Sequence, residues 1–382
     1  MTAGISKGLF LTGPREFEAQ ERILPPPAAD EVQLAVRSTT LCGSDLHYFQ
    51  KGCNGSIEVR EPLCLGHEAA GEVVAIGSNV TNPRVGDRVA VECGIPCEAC
   101  DLCLSNRYNL CEKLRFRGSG SAWPHFQGTM QTRINHPAKW VHLLPPEVSY
   151  DEGALLEPLA VAVHACRRAG VQPGSTCTII GAGPIGLLCA IAARNAGCVK
   201  IAIADVVADR VAFAVEKTFA DTGFVVTSKR AGSPEESLAM ARDTAKSIAG
   251  LTLVNGSTLG PTDYTFECTG IEVCAQSAIF ATKRGGKVVL VGMGTPNVSL
   301  PISDASAREV DIVPVWRYAN CYGEALQIVE ASRKDSSGPQ VAEMITHRCE
   351  GVVNVAEALA LAGCPRDEDG KMVMKVVVSN KS

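Results

Sequence analysis

Aromatic side chains make up only 5% of this chain, and neither sign of charge dominates: 36 Lys and Arg stand against 41 Asp and Glu, a net of −5. A near-neutral, slightly acidic chain lacks the electrostatic footprint of a nucleic-acid or anionic-membrane partner. It also lacks an unbroken apolar span. Residues 169–193 carry no charge, but Pro173, Gly174, Gly181, Gly183, Pro184 and Gly186 divide them into strand, turn and helix. The first residues hold no apolar stretch of secretory length, and the last three, Asn-Lys-Ser, are not a peroxisomal signal. What the chain does have is 46% hydrophobic residues, enough for a sizeable core, and 36 glycines, which suit many tight strand–helix turns. Its 382 residues, at about 150 per domain, imply two or three domains. The 17 cysteines cannot all pair, and most sit singly in apolar runs, as Cys177, Cys189 and Cys198 do. Such thiols belong to a reducing compartment, so a cytoplasmic protein is expected.

The first 150 residues read as short strands between Gly, Pro and Asn turns, among them 31–36, 71–76 and 88–91. From about 175 strand and helix alternate. Strands are expected at 176–180, 199–204, 264–267 and 287–291, and helices at 185–195, 208–219 and around 275–281. That alternation predicts an α/β fold with a doubly wound parallel sheet. Residues 228–237 read as a surface loop, and 372–378 as a closing strand.

Gly181-Ala-Gly183-Pro184-Ile185-Gly186 follows one predicted strand and opens a helix. Its glycines serve the tight turn, the approach of a pyrophosphate and close helix–strand packing, while the helix N-terminus offers free N–H groups to phosphate. Asp205 ends the next strand, 19 residues past Gly186, where a carboxylate can accept from both ribose hydroxyls. A carboxylate there repels a 2′-phosphate and favours NAD over NADP. Arg210, five residues on, can pack against the adenosine.

Cys97, Cys100, Cys103 and Cys111 place four thiols in one loop, with spacers that aim successive sulfurs at a tetrahedral point. This predicts a closed structural zinc site with no open coordination position; Cys93 is an alternative to Cys111. A second, dispersed set is Cys42, His67 and Glu68. One thiolate, one imidazole and one carboxylate would leave a position open, as catalytic zinc requires. On spacing alone, a core thiol and a loop histidine explain Cys42 and His67 equally well.

Cys42-Gly-Ser-Asp, Gly66-His67-Glu68-Ala-Ala-Gly71, Gly86-Asp87-Arg88-Val89, the cysteine loop and the glycine fingerprint together resemble the zinc-dependent medium-chain dehydrogenases, in matching order over almost the whole chain. Gly153-Ala-Leu-Leu-Glu157-Pro158, His164-Ala-Cys-Arg-Arg-Ala-Gly170, Arg308-Glu-Val-Asp and Arg317-Tyr318 resemble the sorbitol (polyol) dehydrogenase branch. The resemblance implies a GroES-like catalytic domain, residues 1–160 and 314–382, interrupted by a Rossmann NAD-binding domain, residues 161–313. It implies Cys42, His67 and Glu68 as catalytic zinc ligands, and Glu157 as the carboxylate that holds water there. Tyr48, Arg317 and Tyr318 are implied near the polyol, and Val291-Gly292-Met293 near the nicotinamide carboxamide. His164 is read as structural. A homotetramer is the branch's expectation. Two features depart from close relatives: the complete four-cysteine loop, which animal sorbitol dehydrogenases lack, and Cys-Tyr-Gly after Asn320, where Thr-Trp-Pro is frequent.

The implied reaction is NAD-dependent oxidation of a polyol's secondary alcohol to a ketose, with one catalytic and one structural zinc per chain. Ser44 would begin a proton relay that His47 finishes near solvent, a role suited to a histidine pKa near operating pH. A threonine or simple-alcohol dehydrogenase would share both zinc motifs, but is not expected to carry Glu157-Pro158 together with Arg317-Tyr318. An NAD-binding redox sensor with a thiol loop would leave the co-occurrence of Cys42, His67, Glu68 and Glu157 unexplained, and a zinc-loop interaction module would leave the full nucleotide-binding unit unexplained.

Overall fold

The computed structural model describes residues 4–253, 255–335 and 337–380. The chain forms two compact units, one of residues 1–158, 322–330 and 341–382, the other of residues 159–321 and 331–340. The return to the first unit, expected at 314, falls at Tyr322. The segment after the last strand of the second unit stays with that sheet, beginning with a bond from Val315 N to Leu290 O at 3.0 Å.

In the first unit a seven-stranded sheet runs in the order Val141–Leu143, Arg88–Val91, Glu68–Ile76, Glu31–Thr40, Lys375–Ser379, Ile345–Glu350, with Arg133–Pro137 also paired to Glu31–Thr40. The strands expected at 31–36 and 71–76 are longer than their apolar cores, because polar residues at their ends still complete the ladder. Alternation within Glu31–Thr40 buries Val32, Leu34 and Val36 against Val73, Val89, Val91 and Ile134. The register sets Thr40 opposite both Glu68 and Val377, which brings three distant segments to one point.

The second unit is a six-stranded parallel sheet. Taken in chain order, Thr176–Ile180, Lys200–Asp205, Thr222–Val225, Thr262–Glu267, Thr282–Leu290 and Asp311–Pro314 are arranged 3-2-1-4-5-6. This is the doubly wound order whose ligand crevice lies at the carboxyl ends of the central strands. The predicted helices appear as Pro184–Asn195, Ala208–Glu216 and Glu272–Ala281. The expected surface loop 228–237 is a loop only to Ser233, whose hydroxyl accepts from Glu236 N and caps the helix Pro234–Ala249. Among the described residues no helix is long and apolar enough to cross a membrane.

One buried histidine gives the first unit a pH-dependent stability. His136 Nδ1 accepts from Arg117 Nε at 2.9 Å, and its Nε2 faces the carbonyls of Glu92 and Trp140 at 3.1 and 3.2 Å. Burial, then the Arg117 charge, hold its pKa well below the usual value. The unfolded chain therefore takes up a proton below about pH 6.5 that the folded chain refuses, so stability falls as pH drops, by up to about 1.4 kcal/mol per unit. Urea midpoints between pH 7.5 and 5 should show this fall, and a His136→Gln variant should show a shallower one.

Candidate active site

The helix Gly43–Lys51 starts at Cys42, and its first turn organises the metal-ready triad. Asp45, wholly buried, accepts from Cys42 N through Oδ2 at 3.0 Å and from Gly66 N through Oδ1 at 3.1 Å. The same Oδ1 lies 3.6 Å from His67 Nδ1. One carboxylate thus fixes both segments that carry ligands and leaves His67 Nε2 as the nitrogen for a metal. The ligand atoms of Cys42, His67 and Glu68 all lie within 4.8 Å of one another. A tetrahedral zinc needs them about 3.3–3.8 Å apart, so this soft-plus-hard donor set fits a zinc ion with an open position.

Glu68 is anchored from two strands. Thr40 Oγ1 donates to its Oε2, and Lys375 Nζ lies 2.8 Å from Oε1 and 2.5 Å from Oε2. Burial opposes the Lys375 charge, but Glu68 foremost, with Cys42 and Glu157, carries its pKa above the ordinary value. Lys375, Thr40 and Asp45, which hold the triad in place, lie outside the expected site residues. The Asp in Cys42-Gly-Ser-Asp was a usable signal; Lys375 is 307 residues from its partner and had none. Lys375→Met should leave Glu68 as an uncompensated buried charge, costing about 3–5 kcal/mol of stability. Urea unfolding together with zinc retained after dialysis would show it; unchanged values for both would remove Lys375 from the site.

Ser44 Oγ stands 3.5 Å from His67 Nε2, within the triad's own space. His47 Nδ1 pairs with Asn54 Oδ1 at 3.0 Å, which leaves Nε2 as the basic nitrogen. Glu157 is buried in the first turn of the helix Leu156–Ala169 and is one of the charges acting on Lys375. Tyr48 lies on the same helix as Ser44 and His47, Gly43–Lys51. It is buried, and its hydroxyl meets Ser119 Oγ at 3.1 Å and accepts from Gly120 N at 3.2 Å, so it anchors the 119–121 turn.

The cysteine lobe brings together Cys97, Cys100, Cys103 and Cys111. Sγ–Sγ separations of 3.4 Å (Cys100–Cys103) and 3.9 Å (Cys97–Cys103) bracket the spacing of about 3.8 Å that a tetrahedral zinc–thiolate site requires. Backbone N–H groups of Ala99 and Cys100 lower the Cys97 thiol to about 6, while burial and its neighbouring thiols push Cys103 up to about 12. Such a cluster gathers its full negative charge only around a cation. Cys93 instead packs in the apolar core beside Phe116 and Val91. Below the lobe, Glu92 accepts from Tyr108 Oη at 2.6 Å and meets His142 Nε2 at 2.7 Å.

In the second unit the fingerprint turn is sterically determined. A Cβ on Gly186 would come within 1.8 Å of Gly181 O, whereas one on Gly183 would meet nothing nearer than Arg210 Nη1 at 4.0 Å. The space above Gly183 is a cradle for a phosphate, and Pro184 and Ile185 open the helix whose N-terminus faces it. Arg210 Nε beside it is buried without a protein partner. Asp205 accepts from Ala182 N at 2.7 Å and Val207 N at 2.9 Å, which places its carboxylate over the turn. A dinucleotide fits these groups. Val291, Gly292 and Met293 follow the strand Thr282–Leu290 directly, and Met293 is 57% exposed. Arg317 and Tyr318 lie on the segment after Asp311–Pro314; Arg317 has φ +50° and its guanidinium stands 5.1 Å over the Trp316 ring.

A nucleotide-binding sheet and a zinc-ready triad define the class: an oxidoreductase that works with zinc and a nicotinamide cofactor. The alcohol dehydrogenase GroES-like domain family matches residues 28–146, and the zinc-binding dehydrogenase family matches residues 184–331. The chain is 41% identical to L-arabinitol 4-dehydrogenase of Hypocrea jecorina, over 83% of this chain and 78% of that one. It is 39% identical to sorbitol dehydrogenase of Bos taurus, over 89% of this chain and 88% of that one. An oxidoreductase of unknown specificity from Escherichia coli shares its fold with a TM-score of 0.82 at 30% identity, over 99% of this chain and 100% of that one. The chain belongs to the zinc-dependent medium-chain dehydrogenases, in their polyol dehydrogenase branch.

Proposed function

We propose that this enzyme oxidises a secondary alcohol of an open-chain polyol, of the sorbitol, xylitol or L-arabinitol class, to the corresponding ketose, reversibly and with NAD as hydride acceptor. The convergence of Cys42, His67 and Glu68 carries the reading, since its donor set leaves a coordination position for an alcohol oxygen. When bound, zinc supplies Lewis acidity to that oxygen and nicotinamide supplies the hydride acceptor. The chain's residues do the rest. Asp45 fixes the imidazole of His67, and Lys375 and Thr40 fix Glu68. Ser44 receives the alcohol proton and His47 passes it to solvent. Glu157 orders water beside the triad, Arg317 and Tyr318 bind hydroxyls beyond the reacting carbon, and Val291–Met293 meets the carboxamide. The Cys97–Cys111 lobe holds a second, structural zinc. Asp205 accepts from the adenosine ribose and disfavours a 2′-phosphate, which supports NAD over NADP.

Initial rates with sorbitol, xylitol, L-arabinitol and galactitol, each with NAD and NADP, test the proposal against ethanol and 2-propanol. A site built to hydrogen-bond several hydroxyls rejects analogues lacking them by large factors. Polyols should therefore exceed simple alcohols in kcat/KM. Arg317→Ala should lower polyol kcat/KM about ten- to a hundredfold, the worth of one charged hydrogen bond, while sparing NAD binding and zinc content. Simple alcohols matching polyols would return the chain to the general alcohol dehydrogenases.

A further inference from the structure

The strand Thr262–Glu267 runs parallel to Thr176–Ile180 and ends in register with Ile180, beside the fingerprint turn. Its last residue, Glu267, is 1% exposed, yet it carries a carboxylate. Oε1 accepts from Thr269 N at 2.7 Å and from the Thr269 hydroxyl, and Gly270 N donates to both oxygens at 3.1 and 3.0 Å. These donors are neutral, and burial pushes the carboxyl pKa up. A buried carboxylate without a cation is a costly way to end a strand, and an apolar residue would fill the space at lower cost. What the carboxylate does is fold 267–270 into one fixed turn.

That turn touches two functional segments, the first of them through backbone alone. On one side, the Glu267 carbonyl accepts from both Val291 N and Gly292 N at 2.9 Å, and the Gly270 carbonyl accepts from Thr295 N at 2.9 Å. A Cβ on Gly292 would lie 2.2 Å from Gly270 N, and one on Gly270, at φ +71°, would lie 2.4 Å from Gly294 N. No side chain intervenes to absorb a shift, so a displaced turn displaces 291–294 with it. On the other side, Thr269 Cγ2 packs on Gly181, but the fingerprint turn has independent ties, from Gly181 N to Ala204 O and from Ala182 N to Asp205.

We propose that Glu267 is a positioning residue for the nicotinamide end of the cofactor, holding Val291, Gly292 and Met293 in place through the turn it folds. The inference rests on the cofactor reading above. It places the consequence of losing Glu267 at one end of the dinucleotide, because the adenosine and pyrophosphate end is held by other bonds.

The test compares binding of NADH with binding of ADP-ribose, which lacks only the nicotinamide, in the wild-type holoenzyme and in Glu267→Leu and Glu267→Gln. Glu267→Leu, which deletes every bond to the turn, should weaken NADH about tenfold, the worth of roughly one net hydrogen bond, and leave ADP-ribose within about twofold. Glu267→Gln keeps an acceptor for Thr269 and should recover most of the loss, with zinc content unchanged. It also answers the question if the leucine variant does not fold: a selective NADH loss, however partial, supports the proposal. Parallel weakening of both ligands would mean a merely structural role, and no change in either would overturn the proposal. A wild type that binds neither NADH nor ADP-ribose would instead remove the cofactor reading itself, and the proposal with it.

Discussion

Cys42→Ser is expected to abolish turnover while leaving the fold and the cysteine lobe intact. Serine keeps the shape of the N-cap but replaces a thiolate with a neutral hydroxyl, and the metal loses its only soft anionic ligand in that triad. Lewis-acid stabilisation is worth several kcal/mol, so kcat should fall by about a thousandfold or more. Cys100→Ser should act in the opposite sense. It opens a closed site whose binding energy is folding energy, lowering stability and total zinc, while folded survivors keep turning over. Metal analysis and thermal unfolding of both variants separate the cases: each should lose one of the two metal groups, and only Cys100→Ser should melt early. Identical behaviour of the two variants would dissolve the division into catalytic and structural sites.

Asp205→Ser should produce the second large effect. The Asp205 carboxylate already accepts from Ala182 N and Val207 N, so it is held rigidly where a ribose would sit. Its loss removes a charged acceptor and also the repulsion of a 2′-phosphate, with Arg210 Nε buried nearby and unpartnered. The KM for NAD should rise about ten- to a hundredfold, and the KM for NADP should fall. Unchanged constants for both cofactors would take Asp205 out of the binding site.

The parts of this protein legible in the sequence are those fixed by local sterics. Thr176–Ile180, the glycine turn and Pro184–Asn195 fell where expected, because only glycine permits the 1.8 Å approach at position 186. The cysteine lobe was legible from spacing, although only tertiary packing separates Cys111, inside the cluster, from Cys93, inside the core. The helix Pro234–Ala249 was hidden by its own composition. Its buried face is Ser237, Ala241, Ala245 and Ile248, too small and polar to show a strong apolar stripe, though Ser233-Pro234-Glu235-Glu236 is a sound start signal. The support of the active site was illegible for a different reason. Thr40, Glu68 and Lys375 meet through sheet register, which no local pattern encodes.

The most direct test of the account follows NAD reduction by a polyol through removal and return of the metal. The zinc-loaded enzyme should reduce NAD with sorbitol, xylitol or L-arabinitol, lose that activity when a chelator strips the Cys42–His67–Glu68 site, and regain it when zinc is restored. A metal-free preparation that still oxidises these polyols at the full rate would contradict it.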